Sequence, residues 1–246
     1  NAWQTVNVTE RIQSIVIAPG SQQLITSDLN GNLQAWDLLN AEQPLNADDF
    51  PQGNALASGG ELLAIGLQDQ IIILNQDGNG DLPAINSIGN NALLVFSPDG
   101  SLLASSSSGG KVAIFQYQDG QITELSSLIK EQATSLAIHP NGSLLAMGTA
   151  RNVYLVDVAT GKEVARIPHI STVNGVSFSA DGSYLATASS RDLQFWEMSG
   201  IQQVKSDDLI GFACSYLYEN FSAAQWEQFF AGEPYEPLCK DLLPQE

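Results

Sequence analysis

Basic residues are scarce in this chain. Only nine Lys and Arg stand against 27 Asp and Glu in 246 residues, which gives a formal net charge of −18 at pH 7. A surface with this excess of negative charge repels phosphate backbones and anionic lipid headgroups. The composition therefore argues against nucleic acids and membranes as partners, although solubility alone would also account for the charge.

Cysteine is also scarce, and long apolar runs are absent from the sequence. The two cysteines, Cys214 and Cys239, are too few for a disulfide framework, and their spacing fits no zinc motif. Two interpretations of this pair remain, namely two buried thiols or a single disulfide bridge. No apolar run in these 246 residues is long enough for a transmembrane helix. These absences exclude a disulfide scaffold and a helical membrane-spanning domain.

Glycine, in contrast, recurs at a nearly fixed interval. Each recurring glycine closes a short turn and is followed by a short apolar run; they stand at positions 20, 60, 100, 142 and 182. A period near 40 residues indicates one supersecondary unit copied along the chain. In the third copy, a continuously apolar stretch (92–96) precedes a Ser-Pro-Asp-Gly turn, and three further strand-like stretches follow.

Four-stranded units of this length are typical of β-propeller blades. We count five of them and predict an all-β propeller over residues 1–200. The fifth unit lacks an outer strand, whereas residues 3–8 read as a strand that precedes the first unit. We expect this N-terminal strand to complete the last blade, which joins the two ends of the ring and removes an exposed sheet edge.

The units resemble WD40 repeats in the residues that end their third strands and in the Ser-Pro-Asp-Gly turn. The residues that carry the resemblance, and for which it implies a structural role, are Trp36, Asp37, Phe115, Asp157 and Trp196. The family most often has seven blades, so a seven-bladed parent stays open beside a five-bladed ring. The family's His–Ser/Thr–Asp–Trp network is expected to be incomplete, because its His appears only once, as His169, and its Asp is mostly absent.

Residues 201–246 follow a different pattern, with apolar residues at helical spacing and a capping box at Ser222–Gln225. We predict a short α-helical extension that packs on the propeller. It is similar to the extension that follows WD40 repeats in bacterial, cyanobacterial-type multidomain proteins, through Asp208-Leu209-Ile210, Ala213-Cys214, Trp226 and Glu233-Pro234-Tyr235. This resemblance implies a cytoplasmic bacterial protein of which this chain is the C-terminal part.

The sequence offers little chemistry for catalysis. No nucleophile motif accompanies the two histidines. Asp77, Asn79 and Asp81 have the spacing of a calcium loop, but Leu82 and Ile88 stand where that loop needs Gly and Glu, and a hairpin turn explains the segment equally well. We therefore predict a protein that is not an enzyme and needs no cofactor. A hydrolase or metal-dependent enzyme that uses the propeller channel is the alternative.

The WD40 resemblance implies an interaction scaffold or sensor that binds a protein, a peptide or other domains of the same full-length protein. Such propellers bind partners on the face made by the loops between blades and the turns between second and third strands. Phe and Arg are enriched at interfaces, although ordinary loop residues are an equally simple interpretation. The candidate residues on this face are Phe50, Asp69, Arg151, His169, Ile170 and Arg191.

Overall fold

The structure, a computed structural model, describes residues 10–20, 22–39, 44–45, 51–75, 82, 84–86, 89 and 91–198. The regular elements in this part of the chain are nineteen β-strands, arranged in five antiparallel sheets. Neighbours in each sheet are also neighbours in sequence, so every blade is a meander of hairpins. The prediction of an all-β propeller with five blades is confirmed.

The first two blades have four strands each. Blade one consists of β1 (Ile12–Ile17), β2 (Gln23–Asp28), β3 (Leu33–Asp37) and β4 (Pro44–Leu45). Blade two consists of β5 (Ala55–Gly59), β6 (Leu62–Gly66), β7 (Gln70–Asn75) and β8 (Ile85–Asn86).

The third and fourth blades also have four strands, and in the described residues the fifth has three. Blade three consists of β9 (Asn91–Phe96), β10 (Leu102–Ser107), β11 (Lys111–Gln118) and β12 (Gln121–Ile129). Blade four consists of β13 (Ser135–Ile138), β14 (Leu144–Gly148), β15 (Asn152–Asp157) and β16 (Glu163–Pro168). Blade five consists of β17 (Val173–Phe178), β18 (Tyr184–Ser189) and β19 (Leu193–Glu197).

The core lies between the faces of successive blades rather than within any one sheet. Ile25 of blade one packs with Leu63 of blade two, Ala64 of blade two with Leu103 of blade three, and Ala104 of blade three with Leu145 of blade four. The second strands β6, β10 and β14 are buried along their whole length, because each has strands on both sides and blades on both faces. Each blade therefore stabilises its neighbour by covering apolar surface.

Two physical constraints favour glycine at these repeated turn positions. Gly100 and Gly182 have φ of 75° and 73°, a backbone conformation that L-residues with a side chain avoid. They are also close to the preceding blade. A Cβ atom on Gly100 would lie 2.6 Å from the carbonyl oxygen of Gly59, and one on Gly182 would lie 2.4 Å from the His139 ring. The turn of one blade thus abuts the turn of the blade before it.

The chain divides into two compact units, Asn1–Trp196 and Glu197–Glu246. The predicted closing strand at 3–8, the helical extension at 201–246, Cys214 and Cys239 lie outside the described residues and stay predictions. Among the residues that the structure describes, none forms a helix with the length and apolar character needed to cross a bilayer.

Candidate functional site

The turns after the second strands and the connections between blades lie at the same edge of the propeller, which we call the loop edge. Arg151 lies at the tip of one such turn, between β14 and β15. The turn is fixed because Thr149 N–H donates to the Asn152 carbonyl at 2.8 Å and the Thr149 hydroxyl donates to the same carbonyl at 3.0 Å. The side chain of Arg151 is exposed.

Hydrogen bonds join this turn to the next blade. His169 N–H donates to the Arg151 carbonyl at 2.7 Å, which places the connection at 169–172 against the Arg151 turn. The hydroxyls of Ser189 and Ser190 lie 3.0 and 3.1 Å from that of Ser171. Three segments that are distant in sequence therefore form one continuous strip of the loop edge.

Three exposed side chains project from this strip: Arg151, Ile170 and Arg191, which we call the Arg–Ile–Arg strip. Ile170 is 73% exposed. Within the described residues, neither guanidinium group takes part in a hydrogen bond or an ion pair. The strip thus offers two cations that no described residue pairs, on a chain with net charge −18.

His169, predicted to bind a partner, lies inside the blade instead. Its Nε2 is 3.0 Å from Thr187 Oγ1, and its Nδ1 is 2.9 Å from an Asp192 carboxylate oxygen, off the line of a well-directed hydrogen bond. The His169 side chain is fully buried. The ring is therefore not available to a partner, and it positions the connection that carries Ile170.

Blade five contains the His, Thr and Asp of the family network, with a hydrogen bond between His169 and Thr187 and with Asp192 close to the other ring nitrogen. Asp192 directly follows Arg191 in the turn, a position that the sequence analysis overlooked. The pKa of Asp192 is lowered, first by the hydrogen bond from the Ser189 hydroxyl and then by Gln194 and His169. A charged carboxylate thus faces His169 and holds the turn below Arg191.

Four of the five residues that carry the WD40 resemblance are buried in the core or cap a turn. Trp36 is 6% exposed and its indole N–H donates to Thr26 Oγ1 at 3.2 Å, while Phe115 is buried between blades two and three. Leu39 N–H donates to the carboxylate of Asp37 and Thr160 N–H to that of Asp157, both at 2.8 Å, so these carboxylates cap the turns that follow. Trp196, in contrast, is 37% exposed.

The other predicted residues are not part of the strip. Asp69 is exposed on the turn between β6 and β7 of blade two, and no described hydrogen bond links it to the strip. Phe50 and the calcium-loop candidates Asp77, Asn79 and Asp81 lie outside the described residues. In the ranges given above, no three His, Cys, Asp or Glu side chains come together in a group that could hold a metal ion.

A second charged group lies on blade four and was not predicted as a unit. The Lys130 ammonium is 2.8 Å from Glu163, and Arg166 is 2.9 Å from the same carboxylate. Both cations also lie over the ring of Tyr154, at 5.2 and 4.9 Å from its centroid. Burial raises the pKa of Tyr154, and its hydroxyl donates to Glu131 at 3.1 Å. The charges of this group therefore pair with one another.

A cleft of about 540 Å³ lies between blades three and four at the edge opposite the loop edge. Its lining includes the carboxylates of Asp99 and Asp157, together with Leu125, Pro140 and Val158. Ser97 and Ser101 hydroxyls donate to Asp99, and these bonds lower its pKa, with the Ser97 hydroxyl the largest cause. Both carboxylates therefore cap turns, and this structural role explains their presence in the cleft.

Comparison with known proteins agrees with this geometry. The family described as "Anaphase-promoting complex subunit 4 WD40 domain" matches residues 94–181. Pre-mRNA-processing factor 19 homolog 2 of Arabidopsis thaliana is 35% identical over 75 residues, which are 30% of this chain and 14% of that protein. WD repeat-containing protein SL1-17 of Schistosoma mansoni is 32% identical over 178 residues, which are 68% of this chain and 58% of that protein. The chain thus spans less than two thirds of either relative.

A solved structure shows the same fold. The β-propeller domain of Cps50 (Swd1) from Myceliophteria thermophila superposes with a TM-score of 0.63 at 13% identity, over 80% of this chain and 68% of that one. At this identity the likeness concerns the fold alone. Together with the 40-residue repeat and the five sheets, these matches show a β-propeller fold whose repeats are similar to WD40 repeats.

Proposed function

We propose that this chain is a non-catalytic protein-interaction module that holds a partner at the Arg–Ile–Arg strip. The observation that carries the proposal is a pair of exposed Arg side chains, without ion pairs among the described residues, beside an exposed isoleucine on three hydrogen-bonded segments. A rigid platform reduces the entropy that binding costs. Arg is also among the residues enriched at binding hot spots.

The chemistry of the strip indicates the kind of partner. Guanidinium groups bind carboxylates in a bidentate geometry, and Ile170 offers an apolar contact between them. The segment that fits is therefore one with an apolar side chain flanked by Asp or Glu. The negative charge elsewhere on the chain does not oppose this at physiological salt, because charges beyond about 8 Å are largely screened.

Site-specific photocrosslinking tests where the partner binds. A photoreactive residue replaces Ile170 in one sample and Val164 in another; Val164 is 40% exposed on β16, away from the loop edge. We expect a partner to crosslink at position 170 and not at position 164. Equal crosslinking at both positions, or crosslinking at 164 alone, would contradict the assignment of the strip.

Charge removal tests which side chains bind. The double variant Arg151→Ala/Arg191→Ala is compared with the double variant Arg11→Ala/Lys162→Ala. The second is a control that removes the same charge from exposed positions outside the strip. Each Arg at a hot spot contributes about 2 kcal/mol, so the first pair should weaken binding more than tenfold. If the first pair retains every partner at the affinity of the control, the proposal is wrong.

The wider setting is part of the same proposal. The motif in residues 201–246 supports a bacterial, cytoplasmic protein in which this propeller follows other domains, and those domains are themselves candidate partners. The relatives named above are eukaryotic, so this setting depends on the motif alone. Mass spectrometry of the native protein from its source would give its full length and test the proposal.

A further inference from the structure

We propose that Ser190 determines which segments bind to the Arg–Ile–Arg strip, because its hydroxyl oxygen requires an amide N–H from the partner next to the carboxylate that pairs with Arg191. Since this role is part of binding at the strip, it rests on the proposed function. It adds a hydrogen-bond acceptor to the two cations and the apolar side chain. The number of protons in a chain of hydroxyl groups that ends at Asp192 fixes this acceptor.

The hydroxyl chain ends at the carboxylate of Asp192. This carboxylate accepts hydrogen bonds from the Ser189 hydroxyl and, at 2.6 Å, from Gln194 Nε2. An ionised carboxylate has no proton to donate, and each serine hydroxyl has one. The proton of Ser189 therefore points to Asp192, and the Ser189 oxygen can only accept. It accepts from the N–H groups of Arg191 and Asp192, at 3.2 and 3.1 Å.

The direction of the next two hydrogen bonds follows from the first. Ser171 Oγ is 3.0 Å from Ser189 Oγ, and Ser190 Oγ is 3.1 Å from Ser171 Oγ. Because the Ser189 oxygen only accepts, Ser171 donates to it. Ser171 then has no second proton, so Ser190 donates to Ser171. All three protons point toward Asp192, and the oxygen of the exposed Ser190 offers only its lone pairs to a partner.

Ser190 lies between the apolar and the charged parts of the strip. It directly precedes Arg191 in sequence, and its contact with Ser171 places it beside the residue that follows Ile170. A segment whose apolar side chain contacts Ile170 and whose carboxylate binds Arg191 therefore also meets the Ser190 oxygen. An acceptor that a bound segment covers without offering a donor costs free energy, so such a segment binds more weakly.

The charge of Arg191 selects the kind of donor. A lysine or arginine of the partner at this place would face a like charge, which disfavours it. A carboxylate is excluded, because it only accepts. A neutral amide N–H meets both conditions. Every protein segment carries this group in its main chain, and the side chains of Asn and Gln are a second source of it.

The acceptor is present at one end of the strip. The turns at 149–152 and 189–192, which carry the two arginines, are equivalent, since in each the first N–H donates to the last carbonyl at 2.8 Å. Ala150 in the first turn corresponds to Ser190 in the second. A bound segment therefore meets an acceptor beside one arginine and a methyl group beside the other, and this difference fixes its direction along the strip.

Amide-to-ester replacement in a peptide tests the acceptor. The probe is a fluorescent synthetic peptide of sequence Gly-Glu-Leu-Glu-Gly, and each ester analogue has one main-chain N–H replaced by oxygen. Fluorescence anisotropy measures binding to the unmodified 246-residue chain. We expect one ester to bind about fivefold more weakly, which is the effect of one net hydrogen bond. Ser190→Ala should weaken binding of the amide peptide by a similar factor, and it should bind that ester and the amide equally well.

Three further variants separate this role from a structural one. Ser171→Ala removes the acceptor of the Ser190 proton, which is then free to turn outward and donate, so the difference between ester and amide should shrink. Ser190→Thr keeps the hydroxyl and should retain the difference. Ser108→Ala, at an exposed turn of blade three, is the control and should leave both affinities unchanged.

The outcomes separate the role of Ser190 from binding by the strip itself. If Arg151→Ala/Arg191→Ala abolishes peptide binding, but neither Ser190→Ala nor any ester changes it, the role of Ser190 is refuted and the strip stays the binding site. Peptides that do not bind, or that bind the double variant equally well, would refute both. Binding that depends on Ser190 only when Asn replaces one Gly of the peptide would support the acceptor and show that a side-chain amide is the donor.

Discussion

Replacement of Gly100 by Ala measures how tightly the turn of blade three fits against blade two. Two effects add at this position. The φ of 75° costs an alanine roughly 1–2 kcal/mol. The new Cβ atom would also lie 2.6 Å from the carbonyl oxygen and 2.9 Å from the carbonyl carbon of Gly59, which are backbone atoms that cannot rotate away. Overpacking of this kind costs about 1–3 kcal/mol.

The matched control is Gly20→Ala. Gly20 has a φ of 64°, so the backbone cost is similar, but its Cβ atom would meet nothing within 4 Å. We expect Gly100→Ala to lower the free energy of unfolding by about 2–5 kcal/mol and Gly20→Ala by about 1–2 kcal/mol. The difference between them isolates the contact between blades two and three.

Urea denaturation followed by tryptophan fluorescence is the assay, with circular dichroism as a second probe of the same transition. Equal m-values for the variants would show that the unfolding free energies can be compared. Equal destabilisation by Gly100→Ala and Gly20→Ala would refute the reasoning, because it would mean that the turn of blade three does not press against blade two.

Three further predictions concern the core, the buried network and acid stability. Leu145→Ala, at a fully buried position between blades three and four, should lower the free energy of unfolding by about 2–5 kcal/mol in urea, and an unchanged midpoint would contradict the described core. Thr187→Val leaves His169 Nε2 buried without its partner and should cost about 1–3 kcal/mol, whereas Thr187→Ser should retain most of the stability; equal losses would contradict the network. Hydrogen bonds, first the one from the Ser179 hydroxyl, lower the pKa of Asp181 from 3.8 to about 2. The ionised carboxylate therefore stabilises the fold fully above pH 3.8, and this stabilisation is lost as the pH falls through about 2. Asp181→Asn lacks the ionised form, so it should lower the melting temperature at pH 7 and reduce its fall between these pH values; a fall as steep as in the unmodified chain would refute this.

The sequence predicted the propeller because its signals are local. Four short strands and three tight turns fit within 40 residues, and positions such as Gly100 and Gly182 need a positive φ that glycine adopts easily. Trp36 and Phe115 were recognised by their place at the end of a third strand, which depends only on position in the repeat.

The candidate site was only partly predictable. The sequence placed Arg151, Ile170 and Arg191 on one edge, but their adjacency depends on hydrogen bonds between segments about twenty residues apart. His139 lies in the turn between β13 and β14, and its side chain is buried, with Nε2 3.0 Å from the Gly182 carbonyl oxygen of the next blade. No local pattern could show this contact, because it depends on how one blade sits against another.

By itself, then, the sequence determined the repeat, the strand order within each blade and the count of five, since these follow from periodicity and turn chemistry over short distances. Only the tertiary structure decided which side chains are covered. Ile15 and Val176 stand at equivalent repeat positions, as do Ile114 and Phe195, yet one of each pair is covered and the other exposed. The physical reason is that burial depends on the presence of a neighbouring blade, which an equivalent position in the repeat does not specify.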